Sequence, residues 1–334
     1  MIKRLAIAIV LLLCGGNVAL AETWKADGPA PGGGSYVATI AIGKMAEKHL
    51  GFQFNFQAGQ TGTKSMVKLA QGKIDFTLLP VPAVGLLKGQ KAMYKNLSNA
   101  AELHANLRGV LVWECCSWHW ITYDTDIKTL ADVKGKKVYT GPPGSVAKRI
   151  LEGHIKATAG LQAGTDYTAV NLDWGSGAQA LRDGNLDVHV QPAFTGSPIV
   201  EELALSREMR MLTYPSVDQQ TPQQKKVFGA PGNDLIEIPA GTYKNFVNDE
   251  VVTTIALRHI AGVGVHSSEE KIYQLTKMIW ENIDEFYGYG SFLKKVNPKL
   301  AFKSMNVPLH AGAYKYYKEA GWDVPANLIP PEAK

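Results

Sequence analysis

Residues 69–80 read Leu-Ala-Gln-Gly-Lys-Ile-Asp-Phe-Thr-Leu-Leu-Pro, and residues 181–192 read Leu-Arg-Asp-Gly-Asn-Leu-Asp-Val-His-Val-Gln-Pro. A leucine, a glycine, an aliphatic residue, an aspartate and a proline recur in register, so one supersecondary unit occurs twice. A second echo lies upstream at nearly the same offset: Pro31-Gly32-Gly33-Gly34-Ser35 answers to Gly141-Pro142-Pro143-Gly144-Ser145. The apolar positions that follow are Val37, Ile40, Ala41 and Met45 against Ala147, Ile150, Leu151 and Ile155. Both sets keep the i, i+3, i+4, i+8 spacing of one helix face. Each half therefore reads as a Gly-rich loop, a helix, a strand, a second polar loop, a second helix closed by glycine, and a strand ending at proline. Gly72 and Gly184 stand where a helix end wants a left-handed residue, and Pro80 and Pro192 where a ladder donor is no longer needed. The expectation is an α/β protein of two lobes, each built on a parallel sheet.

Parallel α/β sheets bind ligands outside the carboxyl ends of their strands. In each half that edge holds two polar loops: Gly33-Gly34-Ser35-Tyr36 and Thr61-Gly62-Thr63, then Gly144-Ser145-Val146 and Trp174-Gly175-Ser176. Each loop is expected to open a helix. A helix N-terminus offers unpaired N–H groups and partial positive charge, so Ser35, Thr61, Thr63 and Ser145 can hold an anion across a cleft without a dedicated arginine. Taken singly, each reads better as an ordinary N-cap; four on one edge reverse that and favour a binding site. Tyr36, Trp118, Trp120 and Trp174 are candidate walls, with Trp118 and Trp174 assigned to the cleft. Gln191, beside the repeated proline, joins the candidate set. Strand alternation puts Trp118 and Trp120 on one face and His119 on the other, and His119 and His189 read as core histidines.

The chain has 334 residues, 46% hydrophobic and 19% charged, which suits a globular protein of about two domains. Lys3 and Arg4 precede the apolar run Leu5–Leu13, and Ala19-Leu20-Ala21 supplies small residues where a signal peptidase cuts. Cleavage after Ala21 and export are expected. Cys14 follows Leu13 rather than the small residue a lipoprotein site requires. No other uncharged run approaches the ~20 residues of a membrane helix. Of 35 Lys and Arg, removal of Lys3 and Arg4 leaves 33 against 30 acidic residues, an interspersed balance that does not imply nucleic acid. Cys115 and Cys116 remain, adjacent in a disulfide-permissive compartment. They can close a vicinal ring or stand as two small hydrophobes on opposite faces of a strand, and alternation favours the second.

Beyond the repeats, residues 215–233 read as a surface loop with a little helix. The runs Val251–Leu257 and Ile260–Val265 return the chain across the hinge, and a helix starting near Ser268 buries Ile272, Leu275, Ile279 and Ile283. The C-terminal segment with Tyr314, Tyr316 and Tyr317 completes the first lobe. No Gly-x-Ser-x-Gly elbow, His-Glu-x-x-His or zinc set occurs, and the glycine spacing in residues 59–65 and 32–37 is wrong for a phosphate loop or a dinucleotide fingerprint. No cofactor and no metal are expected.

Several segments together carry a family resemblance: the Gly-Gly-Gly-Ser-Tyr loop, Leu130-Ala-Asp-Val-Lys-Gly-Lys-Lys-Val138 leading into Gly141-Pro-Pro-Gly-Ser145, Ile238-Pro-Ala-Gly-Thr-Tyr243, and Val307-Pro-Leu-His-Ala-Gly-Ala-Tyr-Lys-Tyr-Tyr317. From about residue 30 to 320 the chain resembles the TAXI family, the extracytoplasmic solute receptors of TRAP transporters. The resemblance implies a two-lobed periplasmic-binding-protein fold of the type II kind, with a ligand cleft between the lobes and a hinge of crossing strands. Residues 22–115 and 266–334 would form lobe I and residues 116–265 lobe II. It further implies a periplasmic, monomeric, non-enzymatic protein. Such a receptor closes on a small carboxylate or amino acid, such as glutamate or 2-oxoglutarate, and delivers it to sodium-coupled membrane subunits. By matching motif positions, Gly34, Ser35, Tyr36, Thr61, Gly62, Thr63, Gly144 and Ser145 inherit ligand contact. One departure stands out: where the family often places Gly-Ser-Gly-Thr and an acid, Ser145 is followed by Val146, Ala147 and Lys148. With Trp118 and Trp174 near, a bulkier or partly apolar carboxylate fits.

Two other classes keep a distinguishing feature. An exported hydrolase needs a base within reach of Ser35 or Ser145, for which His119 and His189 are the candidates. A surface interaction protein would have its cleft empty or filled in.

Overall fold

The computed structural model describes residues 23–29, 31 and 33–333; the expected signal peptide, residues 1–21, lies outside them. The first half runs β1 (Thr23–Asp27), α1 (Gly34–Leu50), β2 (Gln53–Gln57), α2 (Gly62–Ala70), β3 (Phe76–Pro80), α3 (Val81–Lys88) and α4 (Ala100–Ala105). After the long strand β4 (Leu107–Thr122), the second half runs β5 (Lys137–Tyr139), α5 (Val146–Ala159), β6 (Thr168–Val170), α6 (Trp174–Arg182), β7 (His189–Ala193), α7 (Pro198–Leu203), β8 (Arg210–Met211), α8 (Pro222–Phe228) and β9 (Asn233–Ile238). The chain returns through β10 (Val252–Gly264) and finishes with α9 (Glu269–Glu281), α10 (Ile283–Gly288) and α11 (Ala311–Glu319).

The sequence repeat is a structural repeat. β1 pairs in parallel with β2 and with β3. In the second half β5 pairs in parallel with β6, and Val138 bridges in parallel to Val188, immediately before β7. Gly72 and Gly184 are left-handed, with φ of 69° and 74°, and end the equivalent helices α2 and α6. Pro80 ends β3, but β7 runs one residue beyond Pro192, which stands opposite Trp118. Its position on the strand's path to β4 needs no donor from it.

The two halves share one eight-stranded sheet, beside which β5 and β6 form a separate two-stranded one. β4, with 16 residues, and β10, with 13, pair antiparallel from Ala256 opposite Ser117 to Gly264 opposite Leu107. β10 carries the sheet to β3 and β4 carries it to β7, giving the continuous order β2-β1-β3-β10-β4-β7, with β9 on β10 and β8 on β4. Both strands are buried on both faces through most of their length, which is why they read as unbroken apolar runs. α9 starts after Ser268 and buries Ile272, Leu275 and Ile279 as expected; the helix ends at Asn282, so Ile283 opens α10 instead of extending the stripe. α11 docks on α9 so closely that a Cβ on Gly312 would lie 2.1 Å from the Glu269 carbonyl. Tyr317 then donates to the Val110 carbonyl at 3.0 Å and ties the C-terminal segment to β4.

One irregularity corrects the sequence reading. Leu257 stands opposite Cys116 and Arg258 opposite Glu114, so Cys115 is the extra residue of a β-bulge. The bulge cancels the alternation that would send neighbouring side chains to opposite faces. Cys115 and Cys116 are free thiols lying side by side, Sγ to Sγ 2.6 Å.

Candidate functional site

A cavity of about 140 Å³ lies where the polar loops of the two halves face each other across β4 and β10. One wall is made by Gly33, Gly34, Ser35, Thr61, Gly62 and Thr63; the other by Ser145, Val146, Ile150, Trp174, Gln191 and Pro192; the crossing strands supply Cys116, Trp118, Leu257, Arg258 and His259. All four loops open a helix where the sequence placed one.

Of the residues singled out from sequence, Gly34, Ser35, Thr61, Gly62, Thr63, Trp118, Ser145, Val146, Trp174 and Gln191 line this cavity, and Tyr36 and Gly144 do not. Tyr36 lies one helix position past Ser35, and its half-buried ring sits edge-on to Phe56 at 5.5 Å. Gly144 is exposed at φ 69°, turning the chain into the cap ahead of α5. Gly34 has a steric duty: a Cβ there would lie 2.1 Å from the Cys115 carbonyl, so only glycine lets α1 start against β4.

The helix starts differ in how their N–H groups are used. α1 begins after Gly33 and α2 after Thr61, and neither residue caps its helix with a side chain. In the second half Ser145 accepts from Lys148 N–H at 3.1 Å and donates to the Pro142 carbonyl at 2.6 Å, so its hydroxyl is committed to the cap. Asp173 accepts from Ser176 N–H at 2.9 Å and places a carboxylate at the start of α6. That acid is held below the usual carboxylate range, first by the Ser176 hydroxyl and then by the Ser176 N–H. The halves meet directly where Val146 N–H, the first of α5, donates to Thr63 Oγ1 at 3.2 Å. Asp27 is buried close by, and Lys68 at 2.8 Å and Ser65 at 2.9 Å take up its carboxylate.

Arg258 and His259 are among the lining residues that the sequence reading did not single out. Arg258 is buried, with Nε 2.6 Å from Asp234 Oδ2; Lys303 reaches the other oxygen of the same carboxylate at 2.6 Å. Two cations thus share one anion beside the cavity, leaving a local positive excess. His259 Nδ1 and Ser35 Oγ are hydrogen-bonded at 2.9 Å. The signal was present: Arg258-His259 interrupts a mostly apolar strand, and a pair of long polar side chains inside a buried run is seldom there for packing.

Of the four candidate wall aromatics, Trp118 and Trp174 line the cavity and Tyr36 and Trp120 do not. Trp118 stacks on Trp174, centroids 6.3 Å apart, and Tyr139 meets Trp174 edge-on at 5.5 Å. The Trp118 indole N–H is buried without a partner among the described residues. Trp120 is core, donating to the Tyr214 hydroxyl at 2.6 Å. His119 is likewise internal, hydrogen-bonded to Tyr243 and to the Ser117 carbonyl, and burial lowers its pKa to about 4. His189 stacks on Tyr139 and is pushed by burial to about 4. Neither lines the cavity; the base beside Ser35 is His259. Among the described residues no group of three or more His, Cys, Asp and Glu side chains is arranged to hold a metal.

The sequence pattern of the NMT1-like family matches residues 28–321, nearly the whole chain. The chain belongs to the NMT1-like family. This family member is similar to several solved structures at low identity. One is a TRAP periplasmic solute binding protein from Sulfitobacter sp. NAS-14.1 with bound β-D-galacturonate: 11% identity, 90% of this chain and 95% of that one, TM-score 0.48. Another is a TRAP periplasmic solute binding protein from Pseudomonas aeruginosa with bound L-malate: 13% identity, 90% and 97% covered, TM-score 0.46. A third is the alkanesulfonate-binding protein of Xanthomonas axonopodis pv. citri bound to MOPS: 14% identity, 94% and 99% covered, TM-score 0.46. Among the described residues of this family member, no helix is long and apolar enough to cross a membrane.

Proposed function

We propose that this NMT1-like protein is a TAXI-type solute receptor of a TRAP transporter. In this reading it is exported to the periplasm after cleavage behind Ala21, where it captures a small carboxylate such as glutamate or 2-oxoglutarate and delivers it to sodium-coupled membrane subunits. Lobe I comprises residues 22–115 and 266–334, lobe II residues 116–265, and β4 and β10 form the hinge. It acts as a monomer and performs no chemistry on its ligand.

The observation that carries this reading is the pair of helix starts without side-chain caps, α1 and α2, facing a cavity that Arg258 and His259 also line. Free N–H groups, the hydroxyls of Ser35 and Thr61, and Arg258 together complement an anion of one to two charges. The stacked Trp118 and Trp174 cover an apolar portion of the ligand. A ligand that touches both walls favours the closed arrangement because only that arrangement offers both sets of contacts.

A thermal-shift screen of the purified exported protein against dicarboxylates, glutamate and neutral sugars tests it, since a ligand of the folded state raises the midpoint as RT ln(1 + [L]/Kd). A shift with a carboxylate that Thr61→Val and Arg258→Met each weaken supports the reading. A shift with neutral compounds alone overturns the anion assignment.

One contact favours a second reading, an exported hydrolase: Ser35 Oγ lies 2.9 Å from His259 Nδ1 at a helix N-terminus, the arrangement of a nucleophile, a base and an oxyanion site. Activated-ester hydrolysis with a burst that Ser35→Ala removes would establish it; a rate equal to that of Ser35→Ala excludes it.

A further inference from the structure

The β4 bulge places two thiols at the back of the cleft, where the receptor reading gives them no task. Cys116 lines the cavity between the polar loops and also a second one of about 190 Å³, which Cys115, Phe194, Phe292 and Lys295 help to form. The two sulfurs are 2.6 Å apart, within reach of a direct bond after a small movement. They also stand in unlike surroundings. Burial would raise the Cys115 thiol, but hydrogen bonds from Cys116, His259 and Ser35 and the charge of His259 outweigh it and bring the pKa down to about 5. Cys116 is pushed well up, chiefly by its bond to Cys115 and then by burial. The surroundings thus make Cys115 the more acidic sulfur and Cys116 the less acidic one. Met and aromatic packing would explain two buried cysteines on opposite faces of a strand; it does not explain a bulge that brings them together beside an imidazole and a hydroxyl.

We infer that Cys115 and Cys116 form a reversible dithiol site, with Cys115 as the sulfur that attacks a small hydroperoxide and Cys116 as the sulfur that resolves the product into a vicinal disulfide. The Cys115 thiolate attacks the terminal peroxide oxygen, the O–O bond breaks, and the alkoxide or hydroxide leaves with the proton that Cys115 had released. Cys115 is then a sulfenic acid. The Cys116 sulfur attacks the Cys115 sulfur, the S–O bond breaks, and water departs with the Cys116 proton. Two electrons have passed from the sulfurs to the peroxide, giving one disulfide, one alcohol or water, and one further water. A dithiol reductant reverses the change by exchange. Cys115 is fully buried, so the oxidant must be small enough to enter through the second cavity, as a hydroperoxide is and a bulky disulfide is not. The chemistry proceeds whatever the cleft binds.

The experiment treats the purified exported protein with equimolar hydrogen peroxide, alkylates it under denaturing conditions, and reads the tryptic peptide Gly109–Lys128, which holds both cysteines. Before peroxide the peptide takes two alkyl groups. Afterwards it takes none and is about 2 Da lighter than the unalkylated dithiol, the loss of two hydrogens, and dithiothreitol restores both sites. In Cys116→Ser the reaction stops at a sulfenic acid that dimedone traps on Cys115, while Cys115→Ser yields no adduct on Cys116. Two alkylatable thiols surviving peroxide in the wild-type protein would overturn the inference, as would a peptide about 32 Da heavier from a sulfinic acid, or a covalent dimer. The wild-type reading stands even if either variant fails to fold.

Discussion

The first and second repeats present the same loop, helix, loop and helix to the cleft, and they treat their helix starts in opposite ways. α1 and α2 open after Gly33 and Thr61 with no side-chain cap, whereas α5 and α6 are closed by Ser145 and Asp173. A helix start already satisfied by its own chain has little to offer an anion, and one capped by a carboxylate repels it. On the proposed reading the two copies of one unit divide the work: the first repeat would keep its donors for a ligand, and the second supplies a self-capped wall that meets the first through Val146 N–H and Thr63 Oγ1.

The harshest test of this contrast is steric. Gly34→Val puts side-chain atoms on the Cys115 carbonyl, and because backbone cannot yield there, folding stability should fall by at least about 3 kcal/mol, read as loss of the cooperative thermal transition. Gly144→Ala, the matching position of the second repeat, meets nothing within 4 Å and suffers only its left-handed backbone, so it should cost about 1 kcal/mol.

Acid sharpens the comparison next. Burial lowers His119, His189 and His310 to about 4 and His154 to about 3. From about pH 6.5 downward the unfolded imidazoles bind protons that the folded ones refuse until about pH 4 to 3, so stability drops through that window and is flat above it. A midpoint-against-pH curve should show this slope, and His154→Gln should shallow it.

Ligand affinity separates the two walls. Arg258→Met, Thr61→Val and Thr63→Val should each weaken a carboxylate about tenfold or more, the scale of a hydrogen bond to a charged group, measured by titration calorimetry. Ser145→Ala and Asp173→Ala should leave that affinity within about twofold while lowering stability by about 1 kcal/mol each, the usual worth of an N-cap. If Ser145→Ala proves as damaging to affinity as Thr61→Val, the division of work between the repeats is wrong.

Much of this was legible in the sequence because it is local. The period of Ala41 and Met45, the glycine after each second helix, and the Ser and Thr ahead of each helix are set by backbone sterics and capping, which act within a few residues. Repetition of that local grammar made the two-lobed α/β architecture and the four polar loops beside the cavity legible. What alternation could not reveal was the bulge at Cys115, since a single extra residue depends on the register of β4 against β10, strands more than a hundred residues apart. For the same reason Arg258 and His259 looked like an interruption and not a wall, and Ser145 looked like Ser35. Whether a hydroxyl caps its own helix or remains for a ligand, and which sulfur meets which imidazole, is decided by distances that exist only once the two halves have been brought together across one continuous sheet.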